Sequence, residues 1–201
     1  MEKTTSTTRA ARCALALGLA LSFLAAGCSF GSDGGDPAGG ATDLPGPVPA
    51  GVEFAEPPPS APPAPEFTAT LVDGTTVAAS DLWADRPLVL VFTASWCGRC
   101  ADLHRQAAEA VDRHEEAVGL LGIVPEDDTG ADEYAEELAV GHPLGAAGGR
   151  VWLDYAAREP PVGVLVSREG RVLRGWPGGP DPDALAEALD GLVEGSAAEG
   201  G

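Results

Sequence analysis

Positive charge is scarce in this sequence of 201 residues. It holds 12 Lys and Arg residues against 31 Asp and Glu residues, which gives a formal net charge of −19 at pH 7. Nucleic acid and anionic lipid surfaces are bound electrostatically through clusters of Lys and Arg side chains. The composition therefore argues against a nucleic-acid partner and against electrostatic attraction to anionic lipid.

Cysteine and long apolar runs are also rare. Four Cys residues are too few for a scaffold held together by disulfides at this length, so the position of each Cys matters more than their number. The apolar run at residues 13–26 spans 14 residues, whereas a membrane-spanning helix needs about 20. Basic residues precede this run and small residues end it, a pattern typical of a secretory signal.

The end of this segment carries a second signal. It closes with Leu24-Ala25-Ala26-Gly27-Cys28, which resembles the bacterial lipoprotein signal, in which the Cys becomes the lipidated first residue. The resemblance implies that residues 1–27 are a signal peptide. It also implies that a lipid on Cys28 anchors the protein to the bacterial cell membrane, facing outside the cytoplasm. The alternative is a plain secretory signal cut nearby, which leaves Cys28 as a free thiol.

Residues 28–65 are predicted to be a tether. After Cys28 this stretch contains 10 Pro and 7 Gly in 37 residues, with no Lys or Arg. Its scattered apolar residues bury too little surface to offset the entropy of ordering the chain. We therefore expect a disordered, partly polyproline-like spacer whose deletion leaves the stability of the folded part unchanged.

Residues 66–194 are predicted to form one α/β domain. An alternating stretch at residues 67–71 leads to Asp73-Gly74, which is a hairpin turn signal. Continuous apolar runs rich in β-branched residues are typical of strands buried on both faces. Such runs occur at residues 88–92, 118–124 and 162–166.

Helical patterns separate these strands. Apolar residues recur at helical spacing over residues 103–111 and 131–140, and Gly and Pro residues within 141–145 end the second pattern. Asp181 is the predicted cap of a last helix that begins with a Pro. The final residues, 195–201, are predicted to be a disordered tail.

One short motif carries the chemistry of the domain. Cys97-Gly98-Arg99-Cys100 stands where a predicted strand ends and a helix begins. A spacer of two residues on a helical turn brings the sulfurs within disulfide range. The helix N-terminus and Arg99 favour the thiolate of Cys97, and Cys100 lies one turn further in, where it can attack a mixed disulfide. The alternatives are half of a structural zinc site and an inert structural disulfide.

The segment around this motif resembles a known family. The run from Phe92 to Cys100 looks like the active-site segment of thioredoxin-fold proteins. Upstream, Ala64-Pro65-Glu66-Phe67 and Leu71-Val72-Asp73-Gly74 are similar to the hairpin of the TlpA/ResA branch. The resemblance implies a thioredoxin-like α/β fold, with a central mixed β-sheet flanked by helices and an N-terminal β-hairpin. It implies thiol–disulfide oxidoreductase activity outside the cytoplasm.

The resemblance also assigns roles to individual residues. Cys97 would be the attacking nucleophile and Cys100 the resolving thiol. Four further residues are expected to support the cysteines: Trp96, Gly98, Arg99 and Pro161. Trp96 would cover the disulfide, and Pro161 would be a cis-proline. Tyr155 falls where a tyrosine often precedes the cis-proline loop.

Three positions depart from the family pattern. Val91 replaces the buried Asp of thioredoxins, and Leu103 replaces the Glu of ResA-like reductases. A buried acid assists proton transfer at the resolving thiol. Pro160 precedes the expected cis-proline and has no N–H to offer a substrate. The sequence therefore leaves the direction of electron flow open.

Partners and cofactors follow from the same resemblance. We expect protein clients with thiols or disulfides and an upstream electron donor or acceptor, with the chain acting as a monomer. We expect no cofactor beyond the redox-active Cys97–Cys100 disulfide, and no metal. An exported copper carrier on the same fold is the alternative, with His104, His114 or His142 as a third ligand.

Three further patterns bear on these expectations. The three His residues are more simply interpreted as solvated or capping side chains. A peroxiredoxin requires Thr or Ser where Ala94 stands. The acidic run 126–128, together with the acidic residues of the following helix, is most simply a solvated face.

Overall fold

The computed structural model describes residues 37–138 and 141–194, apart from the side chains of Glu115 and Glu194. The predicted signal peptide, Cys28 and the predicted tail at 195–201 lie outside the described residues. Within the described ranges, no helix combines the length and the apolar character that crossing a membrane requires.

Strands and helices alternate through most of the described chain. The strands are β1 (Glu53–Phe54), β2 (Thr68–Leu71), β3 (Thr76–Ala78), β4 (Leu88–Phe92), β5 (Gly119–Pro125), β6 (Leu144–Ala147), β7 (Val162–Val166), β8 (Val172–Pro177) and β9 (Val193–Glu194). The helices are α1 (Ala79–Leu82), α2 (Cys100–Asp112), α3 (Ala131–Leu138), α4 (Gly149–Asp154) and α5 (Pro182–Asp190).

Seven of the strands form one mixed sheet in the order β3-β2-β6-β5-β4-β7-β8. Strands β4, β5 and β6 run parallel, while β7 and β8 on one side and β2 and β3 on the other add antiparallel pairs. Every residue of the central strand β4 is buried. The predicted fold class, a mixed sheet flanked by helices with an N-terminal hairpin, is confirmed.

Side chains alternate between the two faces of β4. Val89 and Val91 pack in a buried cluster with residues of α2 and α5. Leu88, Leu90 and Phe92 pack on the other face, in a cluster that includes Trp83 and Tyr155. A continuous apolar run at β4 is therefore explained by burial on both faces of the sheet.

Most predicted elements occur close to their predicted bounds. Strands β4 and β7 match the apolar runs residue for residue, and Gly74 takes a φ of +85° in the predicted hairpin turn. The Asp181 side chain accepts a hydrogen bond from the Ala184 N–H, which caps α5 as expected. Helix α3 is described to Leu138, so the predicted end at residue 140 lies outside the described residues.

Strand β6 was not predicted, because its segment contains the Gly and Pro residues that end the preceding helical pattern. It lies between β2 and β5. Gly145 faces Ala69 of the neighbouring strand so closely that an added Cβ would lie 2.9 Å from the Ala69 Cβ. Gly145 therefore permits the close approach of β2 and β6, whereas its sequence pattern predicted only the end of the preceding helix. Helix α4 was also missed.

The predicted tether is corrected by the structure over residues 37–65. The Gly39 carbonyl accepts a hydrogen bond of 2.8 Å from the Leu144 N–H, and Pro62 accepts one of 2.9 Å from the Val172 N–H. Strand β1 pairs with β9. Composition shows that this segment cannot fold by itself. Composition does not reveal hydrogen bonds to distant parts of the chain, and such hydrogen bonds hold residues 37–65 against the folded domain. Residues 28–36 lie outside the described residues.

A buried arginine fastens this segment to the domain. The Arg86 guanidinium donates hydrogen bonds of 2.6 Å to the carbonyl oxygens of both Gly46 and Glu116. The Glu116 carboxylate in turn accepts a hydrogen bond of 2.7 Å from the Gly46 N–H. Because Arg86 is only 4% exposed, its own two hydrogen bonds are partly shielded from water.

We predict that Arg86→Ala lowers the free energy of unfolding by about 1–3 kcal/mol, because it leaves two partly buried carbonyl groups without their donor. Urea unfolding measures the change. Arg150→Ala is the matched control: it removes an exposed Arg that pairs with Asp154 one turn away, which is worth less than about 1 kcal/mol. Equal stability of the two variants would contradict the anchoring role of Arg86.

Candidate active site

The two cysteines lie at the junction between β4 and α2. Strand β4 ends at Phe92, and α2 begins at Cys100, so Cys97 lies in the turn before the helix. The turn is closed by the Cys97 N–H, which donates to the Ala94 carbonyl, and by the Cys100 N–H, which donates to the Cys97 carbonyl. The sulfurs are bonded at 2.05 Å, with the Cα atoms 5.3 Å apart.

The two sulfurs differ in their access to solvent. Cys97 is half-buried, whereas Cys100 is fully buried and belongs to a cluster with Val124 and Leu144. A reagent or client can therefore approach the disulfide from the Cys97 side. This arrangement gives one accessible sulfur and one shielded sulfur within a single covalent bond.

Trp96 stands beside Cys97 at the protein surface. Its side chain is 67% exposed, so Trp96 is not part of the core. Together with Trp152, Leu153 and Pro160, it lines an open groove of about 630 Å³. Leu153 is likewise 65% exposed. An exposed apolar surface thus adjoins the accessible sulfur.

Pro160 and Pro161 close the other side of the site. The peptide bond between them is cis, as the resemblance implied for Pro161. The Pro160 carbonyl oxygen lies 3.8 Å from the Cys97 sulfur. The residue that precedes the cis-proline therefore contacts the site through its C=O, since it has no N–H.

Gly98 and Arg99 occupy the exposed turn between the cysteines. A Cβ added to Gly98 would meet no described atom within 4 Å, so the described surroundings do not require glycine there. The Arg99 guanidinium donates a hydrogen bond of 2.6 Å to the Gly178 carbonyl oxygen. Arg99 therefore joins the start of α2 to the loop after β8.

An aspartate that the sequence analysis assigned to a solvated face supports this turn. The Asp128 carboxylate accepts hydrogen bonds from both the N–H and the hydroxyl of Ser95, two residues before Cys97. It also accepts one of 3.1 Å from the Gly130 N–H. The sequence signal for this role is an Asp two residues before a Gly, shortly after the end of a strand, which is typical of a turn that uses the side chain as an acceptor.

The positions that lack the family's carboxylates are apolar in the structure too. Val91 is fully buried against α2 and α5. Leu103 is half-buried, and an added Cβ on Gly179 would lie 2.9 Å from its Cδ1. Neither position can take part in proton transfer.

The prediction that the histidines are solvated or capping residues is wrong for His104. It is 0% exposed, and neither ring nitrogen has a hydrogen-bond partner among the described residues. Burial lowers the pKa of His104 to about 3, with smaller contributions from the positive charges of His142 and Arg105. The structure therefore places His104 in the core rather than at a solvated or capping position.

The other two histidines each lie close to a carboxylate. The His142 Nε2 is 2.8 Å from an Asp112 carboxylate oxygen, and the His114 Nε2 is 3.4 Å from one of Asp190. In the part of the chain that the structure describes, no three His, Cys, Asp or Glu side chains come together as a group that could hold a metal ion.

We predict that Asp128→Ala destabilises the active-site turn by about 1–3 kcal/mol, because the Ser95 N–H and hydroxyl lose their acceptor. Urea unfolding and hydrogen exchange at the Ser95 amide measure the effect. Asp127→Ala is the control, since Asp127 is exposed and is the adjacent acidic residue. Faster exchange at Ser95 in both variants, or in neither, would contradict this role.

Solved structures with a similar fold are known. A candidate protein disulfide isomerase from Bacteroides thetaiotaomicron is 27% identical, with a TM-score of 0.59 over 67% of this chain and 90% of that chain. A secreted Mycobacterium tuberculosis disulfide oxidoreductase homologous to E. coli DsbE is 22% identical, with a TM-score of 0.54 over 63% and 96%. An exposed lipoprotein thioredoxin from Streptococcus pneumoniae is 22% identical, with a TM-score of 0.51 over 63% and 98%.

The sequence comparisons are consistent with this fold. No protein with a curated description matches the chain. The family model described as Redoxin matches residues 59–175, which is more than half of the chain and includes the Cys pair, Trp96 and Pro161. The chain has a thioredoxin-like fold and belongs to the Redoxin family.

Proposed function

We propose that the protein is an extracytoplasmic thiol–disulfide oxidoreductase of the TlpA/ResA type, which exchanges the Cys97–Cys100 disulfide with client proteins. The observation that carries the proposal is the difference in access between the two sulfurs, with Cys97 half-buried and Cys100 fully buried. Exchange through a mixed disulfide needs one sulfur that a client can reach and a second that is held close and shielded.

The reduction of a client proceeds in two displacements. The Cys97 thiolate attacks one sulfur of the client disulfide, which forms a mixed disulfide and releases the other client sulfur as a thiolate. The Cys100 thiolate then attacks the Cys97 sulfur and releases the first client sulfur. Two electrons pass to the client, and the Cys97–Cys100 disulfide remains. Client oxidation is the same sequence in reverse.

The surface beside Cys97 suits a polypeptide client. Trp96 and Leu153 offer exposed apolar side chains along the groove that Pro160 also lines. The Pro160 carbonyl oxygen, close to the Cys97 sulfur, is free to accept a hydrogen bond from a client N–H. We propose that an extended client segment lies in this groove with its cysteine at Cys97.

A reduction assay with insulin as the client tests the proposal. We expect the wild-type protein, recycled by dithiothreitol, to reduce insulin disulfides, and Cys97→Ser to be inactive. Cys100→Ser should accumulate a mixed disulfide on Cys97, which mass spectrometry detects, because the second displacement is lost. Wild-type protein that exchanges no faster than the Cys97→Ser variant would sink the proposal.

An exported copper carrier is the alternative on the same fold. Among the described residues, no third His, Cys, Asp or Glu side chain joins the Cys pair in a group that could hold a metal ion. Titration of the reduced protein with Cu(I) distinguishes the two functions, since a carrier binds Cu(I) with one-to-one stoichiometry and transfers it without reducing insulin.

We further propose that Cys28 carries a lipid that anchors the protein outside the cytoplasm. The support is the sequence Leu24-Ala25-Ala26-Gly27-Cys28 behind a short apolar segment. The expected result is membrane association of the wild-type protein in a bacterial host, with a diacylglyceryl group on Cys28. Cys28→Ser should release the protein or trap its precursor, and Cys13→Ser is the matched control. Unchanged fractionation with an unmodified Cys28 would contradict the anchor.

A further inference from the structure

The surface beside the disulfide continues past Pro160 into a second depression of about 470 Å³. Two cations, Arg99 and Arg158, are among the residues that line it, and we call it the arginine cleft. Arg158 and Pro160 also line the groove beside Trp96. The groove and the cleft therefore adjoin at the residue whose carbonyl oxygen lies 3.8 Å from the Cys97 sulfur.

Paired positive charge is the rule elsewhere in the described part of this acidic chain. Four described arginines form ion pairs with carboxylates: Arg86, Arg105, Arg150 and Arg168. Arg99 and Arg158 are both exposed, and neither takes part in an ion pair with a described carboxylate. The cleft thus presents two guanidinium groups whose counter-ion is not supplied by the described residues.

The loop after β8 holds Arg99 at the cleft. Its guanidinium donates a hydrogen bond of 2.6 Å to the Gly178 carbonyl oxygen. Gly178 has a φ of +87°, a backbone conformation that favours glycine. A guanidinium carries five N–H donors in a planar fork, so several donors remain for a ligand after this bond is made. Carboxylates are the ligands that such a fork binds best in proteins.

A tight turn after α4 holds Arg158 at the same cleft. The Arg158 N–H donates a hydrogen bond of 3.0 Å to the Ala156 carbonyl, and Ala156 has a φ of +54°. Ala157, between them, is buried, and its N–H donates one of 2.7 Å to the Trp152 carbonyl. The core therefore fixes the backbone that carries Arg158.

The two halves of the site carry opposite charge. Glu159 also lines the arginine cleft, so its charged lining is two cations and one anion. The groove beside Trp96 is lined by two anions, Glu126 and Asp127, and by the shared cation Arg158. A client segment that crosses Cys97 therefore meets net negative charge on one side and net positive charge on the other.

We propose that the arginine cleft recognises an acidic side chain of the client, close to its reactive cysteine. The proposal rests on the proposed exchange function and adds a charge requirement on one side of that cysteine. Side chains of an extended segment alternate, so the residue two positions away faces the protein as the cysteine does, about 7 Å along the chain. At that position, an Asp or Glu carboxylate accepts hydrogen bonds from Arg99 and Arg158.

The charge of the whole chain has a different signature from this contact. A net charge of −19 repels any acidic client, wherever its carboxylates lie. Exposed charges separated by more than about 10 Å are largely screened at 0.1 M salt. Contact with the arginine cleft instead depends on which side of the client cysteine carries the carboxylate.

Reduction of short peptide disulfides by the reduced full-length protein tests the proposal. The peptides are blocked at both ends and carry one cysteine, with Glu, Gln or Lys two residues before it or two residues after it. The rate of each peptide is divided by its rate with dithiothreitol, which corrects for the reactivity of the disulfide itself. On one side of the cysteine only, we expect Glu to react about three- to tenfold faster than Gln, and Lys more slowly than Gln. In 1 M salt most of this preference should disappear.

Variants locate the preference, because the ratio of the Glu and Gln rates cancels any general change in activity. Arg158→Gln should lower the ratio at least twofold, and Arg99→Gln should lower it as well. Glu159→Gln should raise the ratio, because it removes the opposing carboxylate from the cleft. Arg113→Gln is the matched control: it removes the same charge from an exposed residue at the other end of α2, about 20 Å along the helix, and should leave the ratio unchanged.

Failure of the inference and failure of the proposed function give different results. If Glu gives no advantage on either side, gives the same advantage on both, or keeps its advantage in both the Arg99 and Arg158 variants, the arginine cleft does not recognise a client carboxylate, and thiol–disulfide exchange still stands. If wild-type protein reduces none of the peptides faster than Cys97→Ser does, the proposed function itself is wrong.

Discussion

The pairing of β4 with β5 and β7 is the constraint on which the site depends. Phe92 at the end of β4 is in register with Val162 at the start of β7. The chain that leaves β4 toward Cys97 and the chain that enters β7 from Pro161 therefore meet at one edge of the sheet. This backbone register brings the Pro160 carbonyl within 3.8 Å of the Cys97 sulfur without any contact specific to the cysteines. Because β4 is buried on both faces, the register is held by the core.

The same junction produces the difference between the two sulfurs. The turn before α2 lies at the surface, so Cys97 is accessible, while the first residue of the helix faces the cluster around Val124. Asp128 and Arg99 hold this turn through hydrogen bonds to Ser95 and to the Gly178 carbonyl oxygen. One carboxylate and one guanidinium thus fix the geometry of the turn that carries the two reactive sulfurs.

Local patterns predicted the elements that their own residues determine. Burial on both faces explains the continuous apolar runs of β4 and β7, and the Cys97–Cys100 spacing identified the disulfide. The sequence could not show what depends on partners distant in the chain. Strand β6 and residues 37–65 are held by backbone hydrogen bonds to other segments, so their Gly and Pro content was misleading. His104 and Asp128 have ordinary sequence surroundings, and the burial of the first and the hydrogen bonds of the second follow from which elements pack against them.

The relative reactivity of the two thiols tests the central claim most directly. Fully reduced protein is treated with a limiting amount of iodoacetamide at neutral pH, and the modified cysteine is identified by mass spectrometry. The account predicts alkylation of Cys97 well before Cys100, because Cys97 is accessible and Cys100 is fully buried. Equal modification of both thiols, or modification of Cys100 first, would contradict the division into an attacking and a resolving cysteine.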